Sequence, residues 1–306
     1  MAWRSIKSTV SRAIGQRAGP CDERVLGLSI HLIAATQHLL MNALGALAIL
    51  GYLAAASVLI WPSLAVHGHP AAPLRLAKTL LAGALIAHGV VLAHLTFTPQ
   101  GFNVSVVSAG SLVAGCSAGM LLVLWLRRPL ESLAVVILPL AAFALGLDLV
   151  LPTTHVLAES LPPGLRIHIA LAIAAYSLFA IAALQAIFIA LAEHKLRQRH
   201  PILHFLPPLP TMEKVMFQLT LLAFVLLTLS LLLGALFIEN IRAQHLAHKI
   251  VFSVLAWGVF ATLVVGRWRY GWRGRHGVKF VSAGFVLLAL AYFGTKVVLE
   301  LILHRS

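Results

Sequence analysis

Histidine is the residue that best equips this chain for chemistry: there are fifteen in 306 residues, in a sequence with only 10% charged residues. Neutral imidazole is the ionisable side chain least costly to place near lipid, and it is also the usual axial ligand to haem iron. Position therefore has to separate ligands from bystanders. His168 directly follows a proline-rich stretch containing Pro152, Pro162, Pro163 and Gly164, and His304 nearly ends the chain. His245 and His248 precede one apolar run, and His88 and His94 lie within another. His67, His69, His194, His200, His204 and His276 fall in basic loops, where solvation or headgroup contact accounts for them, and His155 has no assigned role.

The other groups that could react are few. Asp148, Lys296 and Glu300 are the charges inside apolar runs. The last two are four residues apart and share a helix face, which reads as a structural pair, while Asp148 stands alone. Cys21 and Cys116 are too far apart in sequence for a Cys-x-x-Cys motif, and no nucleophile is paired with a base. An enzyme is not expected, and neither is thiol chemistry.

The elements that must position these groups follow from composition. Hydrophobic residues make up 60% of the chain and mean hydropathy is +0.95, against about 25% charged residues in an ordinary soluble domain. A helix needs about 20 apolar residues to cross the hydrocarbon core. Eight such runs are present, at 41–61, 76–95, 104–126, 130–150, 167–192, 215–238, 249–266 and 278–303. No alternating strand pattern competes with them. The fold class is an all-α integral membrane protein, a bundle of about eight transmembrane helices.

The net charge of +14 raises the question of nucleic acid, but its carriers are spread through short loops rather than gathered in a patch. The odd-numbered loops hold Arg75, Lys78, Arg127, Arg128, Lys195, Arg197, Arg199, Lys214 and five more basic residues from Arg267 to Lys279. The even side holds Arg166, Arg242, Lys249 and Arg305. The positive-inside rule places the odd loops in the cytoplasm. Trp125, Trp268, Tyr270 and Trp272 then fall at the inner boundary, as amphipathic rings do. The lipid bilayer is the expected partner, and nucleic acid is excluded. Residues 1–40 fit this unit poorly. They read as an extension with a start placed too early or as an interfacial segment, with the membrane unit at 41–306.

With this orientation, His168, His245, His248 and His304 approach the outer surface, where a pair of imidazoles could bracket a planar macrocycle. The plain alternative is four solvated interfacial histidines. His88 lies deeper, where a hydrogen bond between helices competes with a ligand role.

The segments Met212-Glu-Lys-Val-Met-Phe217, Leu227-Thr-Leu229 with Gly234, Gly271-Trp-Arg-Gly-Arg275 and Leu290-Ala-Tyr-Phe-Gly294 resemble the cytochrome c assembly protein family. This is the haem-handling family that includes CcsA and CcmC, and the nearest likeness within it is to the YpjD-like inner membrane proteins. Arg166-Ile-His168 through Tyr176 resembles the family's histidine-led helix, and Gly110-Ser-Leu-Val113 the start of its third helix. The resemblance implies haem as cofactor near the outer face, with His168 and His304 as iron ligands and His88 as a member of a deeper pair. It also implies a multi-pass protein of the bacterial inner membrane, engaged with haem and with other cytochrome assembly proteins. Two departures accompany it. Val265 stands where the partner of His88 is expected, and 238–248 contains no tryptophan where haem-presenting members carry a tryptophan-rich motif. The expected function is haem binding or passage in cytochrome c biogenesis. The alternative is a cofactor-free permease-like or accessory subunit that has lost the haem site.

Overall fold

A computed structural model describes residues 20–64, 71–98, 101–103, 105–128, 130–151, 156–157, 162–197, 208–237 and 247–294. Eight α-helices run through these residues: α1 Pro20–Leu64, α2 Ala71–Thr96, α3 Val106–Trp125, α4 Glu131–Val150, α5 Pro163–Arg197, α6 Leu209–Phe237, α7 Ala247–Tyr270 and α8 Arg275–Ala289. Seven are long and apolar enough to cross a membrane, and the candidate span within α1 is Ala35–Ile60. The eighth expected span is described only as α8 and a following π turn, Leu290–Gly294. Three strands of two or three residues, Phe97–Thr98, Gly101–Asn103 and Val156–Leu157, form a small antiparallel sheet in the order β1-β2-β3. Strands this short cannot show an alternating period and leave no pattern to read.

Helices rather than strands carry the chain because a spanning segment must satisfy its own backbone donors and acceptors where no water is present. The packing fits that setting. Large aliphatic and aromatic side chains such as Leu50, Ile86, Phe143, Val150 and Leu236 are exposed on the bundle's outside. An aqueous protein with so much apolar surface would aggregate, whereas lipid tails solvate it. The inside is rich in alanine, including Ala48, Ala55, Ala77, Ala118, Ala141, Ala182 and Ala223, all buried. Small side chains let helix backbones approach closely, which is where van der Waals attraction between membrane helices comes from.

The helices form two groups. In the first, α1 packs on α2 and α4, and α3 packs on α2 and α4; in the second, α5 packs on α6 and α8, and α7 on α8. The groups meet chiefly along α3 and α5. In the second group Phe179 of α5 stacks on Phe260 of α7 with centroids 3.8 Å apart, and Gly284 of α8 leaves room for the Phe260 ring.

The turn between α7 and α8 explains the Gly271-Trp-Arg-Gly-Arg275 motif. Gly271 and Gly274 have φ of 67° and 55°, in the region that L side chains rarely adopt. Arg267 donates to the Trp272 carbonyl at 2.9 Å while its guanidinium lies 4.4 Å from the Phe217 ring centroid. Trp268 and Tyr270 are exposed. Trp125 is only 2% exposed. Its indole donates to Glu131 Oε1 at 2.9 Å, and Lys78 lies 5.1 Å from its ring centroid while donating to its carbonyl. A cation and a carboxylate from neighbouring segments draw this ring inward, which a position count along one helix cannot reveal.

Candidate functional site

His168 sits in the second turn of α5, and Ser230 and Gly234 of α6 face it. The Ser230 carbonyl is 2.7 Å from His168 Nδ1, and the Ser230 hydroxyl lies 3.1 Å from the same atom while donating to the His168 carbonyl at 3.2 Å. A carbonyl can only accept, so Nδ1 carries the hydrogen, and Nε2 has no hydrogen-bond partner among the described residues. A Cβ on Gly234 would fall 2.9 Å from His168 Cε1, so the ring reaches Ser230 only because residue 234 has no side chain. Gly164, one turn earlier on α5, leaves space that the Phe237 ring of α6 occupies. The N-terminal end of α5 and the C-terminal end of α6 thus meet at two glycines.

Below this, Tyr176 of α5 donates to the Leu288 carbonyl of α8 at 2.7 Å and lies edge-on to Tyr292, with centroids 6.2 Å apart. Tyr292 belongs to the π turn, and such local widening is frequent at functional sites. The family-like segments around His168, at Gly234 and at Leu290 to Gly294 therefore converge on one side of the second helix group. His304, the second expected ligand, lies outside the described residues, as do Lys296, Glu300, His245 and the His248 side chain.

His88 has a different environment. It is 1% exposed, and both ring nitrogens are engaged: Nδ1 lies 3.0 Å from Tyr52 Oη of α1, and Nε2 lies 3.1 Å from Ser111 Oγ of α3. Gly115 of α3 faces it as Gly234 faces His168, with a Cβ there falling 3.0 Å from Cε1. The hydrogen bond between helices is present on both sides of the ring, so iron ligation by His88 requires one of these bonds to break. Val265 is 55% exposed on α7 and faces away from the bundle interior. His94 is exposed at the end of α2, and His194 and His276 are exposed near the end of α5 and the start of α8.

Sequence reading missed the setting of Asp148. It is 3% exposed and far from alone: Ser105 Oγ donates to Ser108 Oγ at 2.9 Å, and Ser108 Oγ donates to Asp148 Oδ1 at 2.8 Å. Ser105 also caps α3, accepting from the Ser108 N–H at 3.0 Å. The signal was a Ser-x-x-Ser-x-x-Ser pattern at 105, 108 and 111, which lines one helix face. Among the described residues no three His, Cys, Asp or Glu side chains gather as a metal site.

The chain matches the Cytochrome C assembly protein family over residues 77–303. It is 33% identical over 222 residues to inner membrane protein YpjD of Escherichia coli K12, covering 72% of this chain and 84% of that protein. It is 31% identical over 147 residues to a 28.8 kDa protein encoded in a nifR3-like 5' region of Azospirillum brasilense, covering 46% of this chain and 54% of that protein. No solved structure matches it.

Proposed function

The chain belongs to the cytochrome c assembly protein family, and from that premise we propose that it binds or passes haem at the outer side of the bacterial inner membrane during cytochrome c biogenesis. The observation that carries this reading is the 2.7 Å bond from His168 Nδ1 to the Ser230 carbonyl. Metal-ligating histidines are typically oriented by a backbone carbonyl or carboxylate on one nitrogen, which fixes the tautomer and makes the other nitrogen a better donor. His168 is held in that way at the end of a spanning helix. His304 supplies the second ligand by resemblance, and haem, when bound, supplies an iron that accepts both lone pairs. The chain's own residues orient His168 through Ser230 and Gly234 and brace the surrounding helices through Tyr176. The protein needs no catalysis of its own, and its partners are other cytochrome assembly proteins.

The test is the absorption spectrum of protein purified from haem-replete cells, with and without dithionite. A Soret band is expected in the wild type and its loss in a His168→Ala, His304→Ala double variant. A colourless wild type overturns the reading.

A second reading, a cofactor-free permease-like or accessory subunit, is favoured by the two engaged nitrogens of His88 and by the outward-facing Val265. It expects the same double variant to complement a deletion fully. Failure of complementation at normal membrane abundance removes it.

A further inference from the structure

Among the described residues a cavity of about 280 Å³ lies between the C-terminal end of α5 and the N-terminal end of α8. Arg197 and His194 of α5 line it together with Arg275 and Lys279 of α8. Ala190 and Val278 add apolar wall, and Glu193 is the one carboxylate. Spacing shows how the two helices share it. Ala190, Glu193, His194 and Arg197 stand at i, i+3, i+4 and i+7 of α5, and Arg275, Val278 and Lys279 at i, i+3 and i+4 of α8, so each helix turns one stripe to the cavity. Tyr176 meets Leu288 while 190–197 meet 275–279, so the helices run antiparallel. Arg197 and Arg275 therefore lie at the end of the bundle, and Lys279 lies further along α8 by about 6 Å at roughly 1.5 Å per residue.

The charges of this lining do not balance. Arg197, Arg275 and Lys279 are exposed and form no ion pair among the described residues. Glu193 is drawn to the start of α8: its Oε1 lies 3.4 Å from the place of a Cβ on Gly274, with Glu213 Oε1 at 3.7 Å. Gly274 is the N-cap of α8 and makes no side-chain capping bond, and negative charge is favoured at a helix N-terminus. Three cations thus converge on a small space, and like charges there repel. An anion between them offsets that repulsion.

We propose that this cavity binds the phosphate of an anionic phospholipid from the surrounding bilayer, with Arg197 on one wall and Arg275 and Lys279 on the other. Basic pockets between spanning helices suit such headgroups. Guanidinium matches the phosphate oxygens with paired donors, and the long stems of Arg and Lys lie along apolar wall while their tips converge. The volume is near the lower end of the roughly 300–1,000 Å³ range of small-molecule sites, which suits a headgroup and leaves the acyl chains in the bilayer. Ala190 and Val278 offer the apolar side that a glycerol stem needs. Only ion pairs and hydrogen bonds form, and the site is independent of haem.

The test uses the full chain, delipidated in detergent and titrated with phosphatidylglycerol, with bound lipid counted by native mass spectrometry. One saturable phosphatidylglycerol is expected, and phosphatidylcholine, whose choline cation offsets its phosphate, should bind much more weakly. Lys279→Gln should weaken the affinity about fivefold, and the Arg197→Gln, Arg275→Gln, Lys279→Gln triple variant by more than about tenfold. A triple of equal charge outside the cavity, Arg127→Gln, Arg269→Gln, Arg273→Gln, should leave it largely unchanged. Glu193→Gln should tighten binding, a gain that misfolding cannot imitate, so the outcome stays decisive even where the cavity triple fails to fold. Equal affinity for the two lipids overturns the proposal, as does weaker binding by Glu193→Gln or a control triple that loses as much as the cavity triple. Displacement of the lipid by millimolar inorganic phosphate overturns the lipid as occupant and makes a soluble phosphate the ligand.

Discussion

His88 and His168 are the same side chain in two helix groups, each resting on a glycine of the neighbouring helix, Gly115 and Gly234. They differ in what the ring nitrogens meet. His88 is enclosed, with a hydroxyl on each nitrogen, so its valences are spent inside the protein. His168 is partly buried at a helix end, with one nitrogen fixed by a carbonyl and the other without a partner among the described residues. Burial alone does not make a histidine a ligand. What matters is whether its partner fixes a tautomer and leaves a lone pair, or adapts to any protonation state and leaves none.

The contrast breaks most visibly through absorption. His168→Ala alone should remove most of the Soret band, whereas His88→Gln should retain it. The reverse pattern would make the buried histidine the ligand and the outer one a bystander. Stability should show the opposite ranking. His88→Ala strands the Tyr52 and Ser111 hydroxyls at about 1–3 kcal/mol each, so thermal unfolding in detergent should fall well below that of His168→Ala. The two glycines sharpen the comparison further. Gly115→Ala forces a Cβ against His88 and should cost about 1–3 kcal/mol by overpacking, read as a lower Tm. Gly234→Ala makes a similar intrusion at a less enclosed site and should be read mainly as reduced haem content at near-normal Tm. The smallest effect belongs to Ser230→Ala, which removes the hydroxyl and keeps the carbonyl. A loss of about 1 kcal/mol and an almost unchanged spectrum are expected, and a lost spectrum would mean that the hydroxyl, not the carbonyl, positions the ring.

Much of this molecule was legible in the sequence because lipid imposes simple rules. Long apolar runs located the helices, and loop arginines and lysines suggested their orientation. Family-like segments marked the second helix group, and the structure gives several of them physical jobs: glycines at positive φ in the α7 to α8 turn, Gly234 beneath His168, and a π turn at Leu290. The burial of Trp125 was not legible because its environment is set by Lys78 and Glu131, which reach it across 47 and 6 residues. Asp148 looked solitary because its partners lie on α3, about 40 residues away.

The sequence by itself determined that this chain lives in a membrane, which segments cross it and which residue types it holds for chemistry, because hydrophobic length and loop charge are local properties. Only the tertiary structure decided which histidine keeps a nitrogen without a partner among the described residues and which is enclosed. That choice depends on whether a carbonyl or a hydroxyl on another helix arrives within 3 Å, and no residue carries that distance in its own position along the chain.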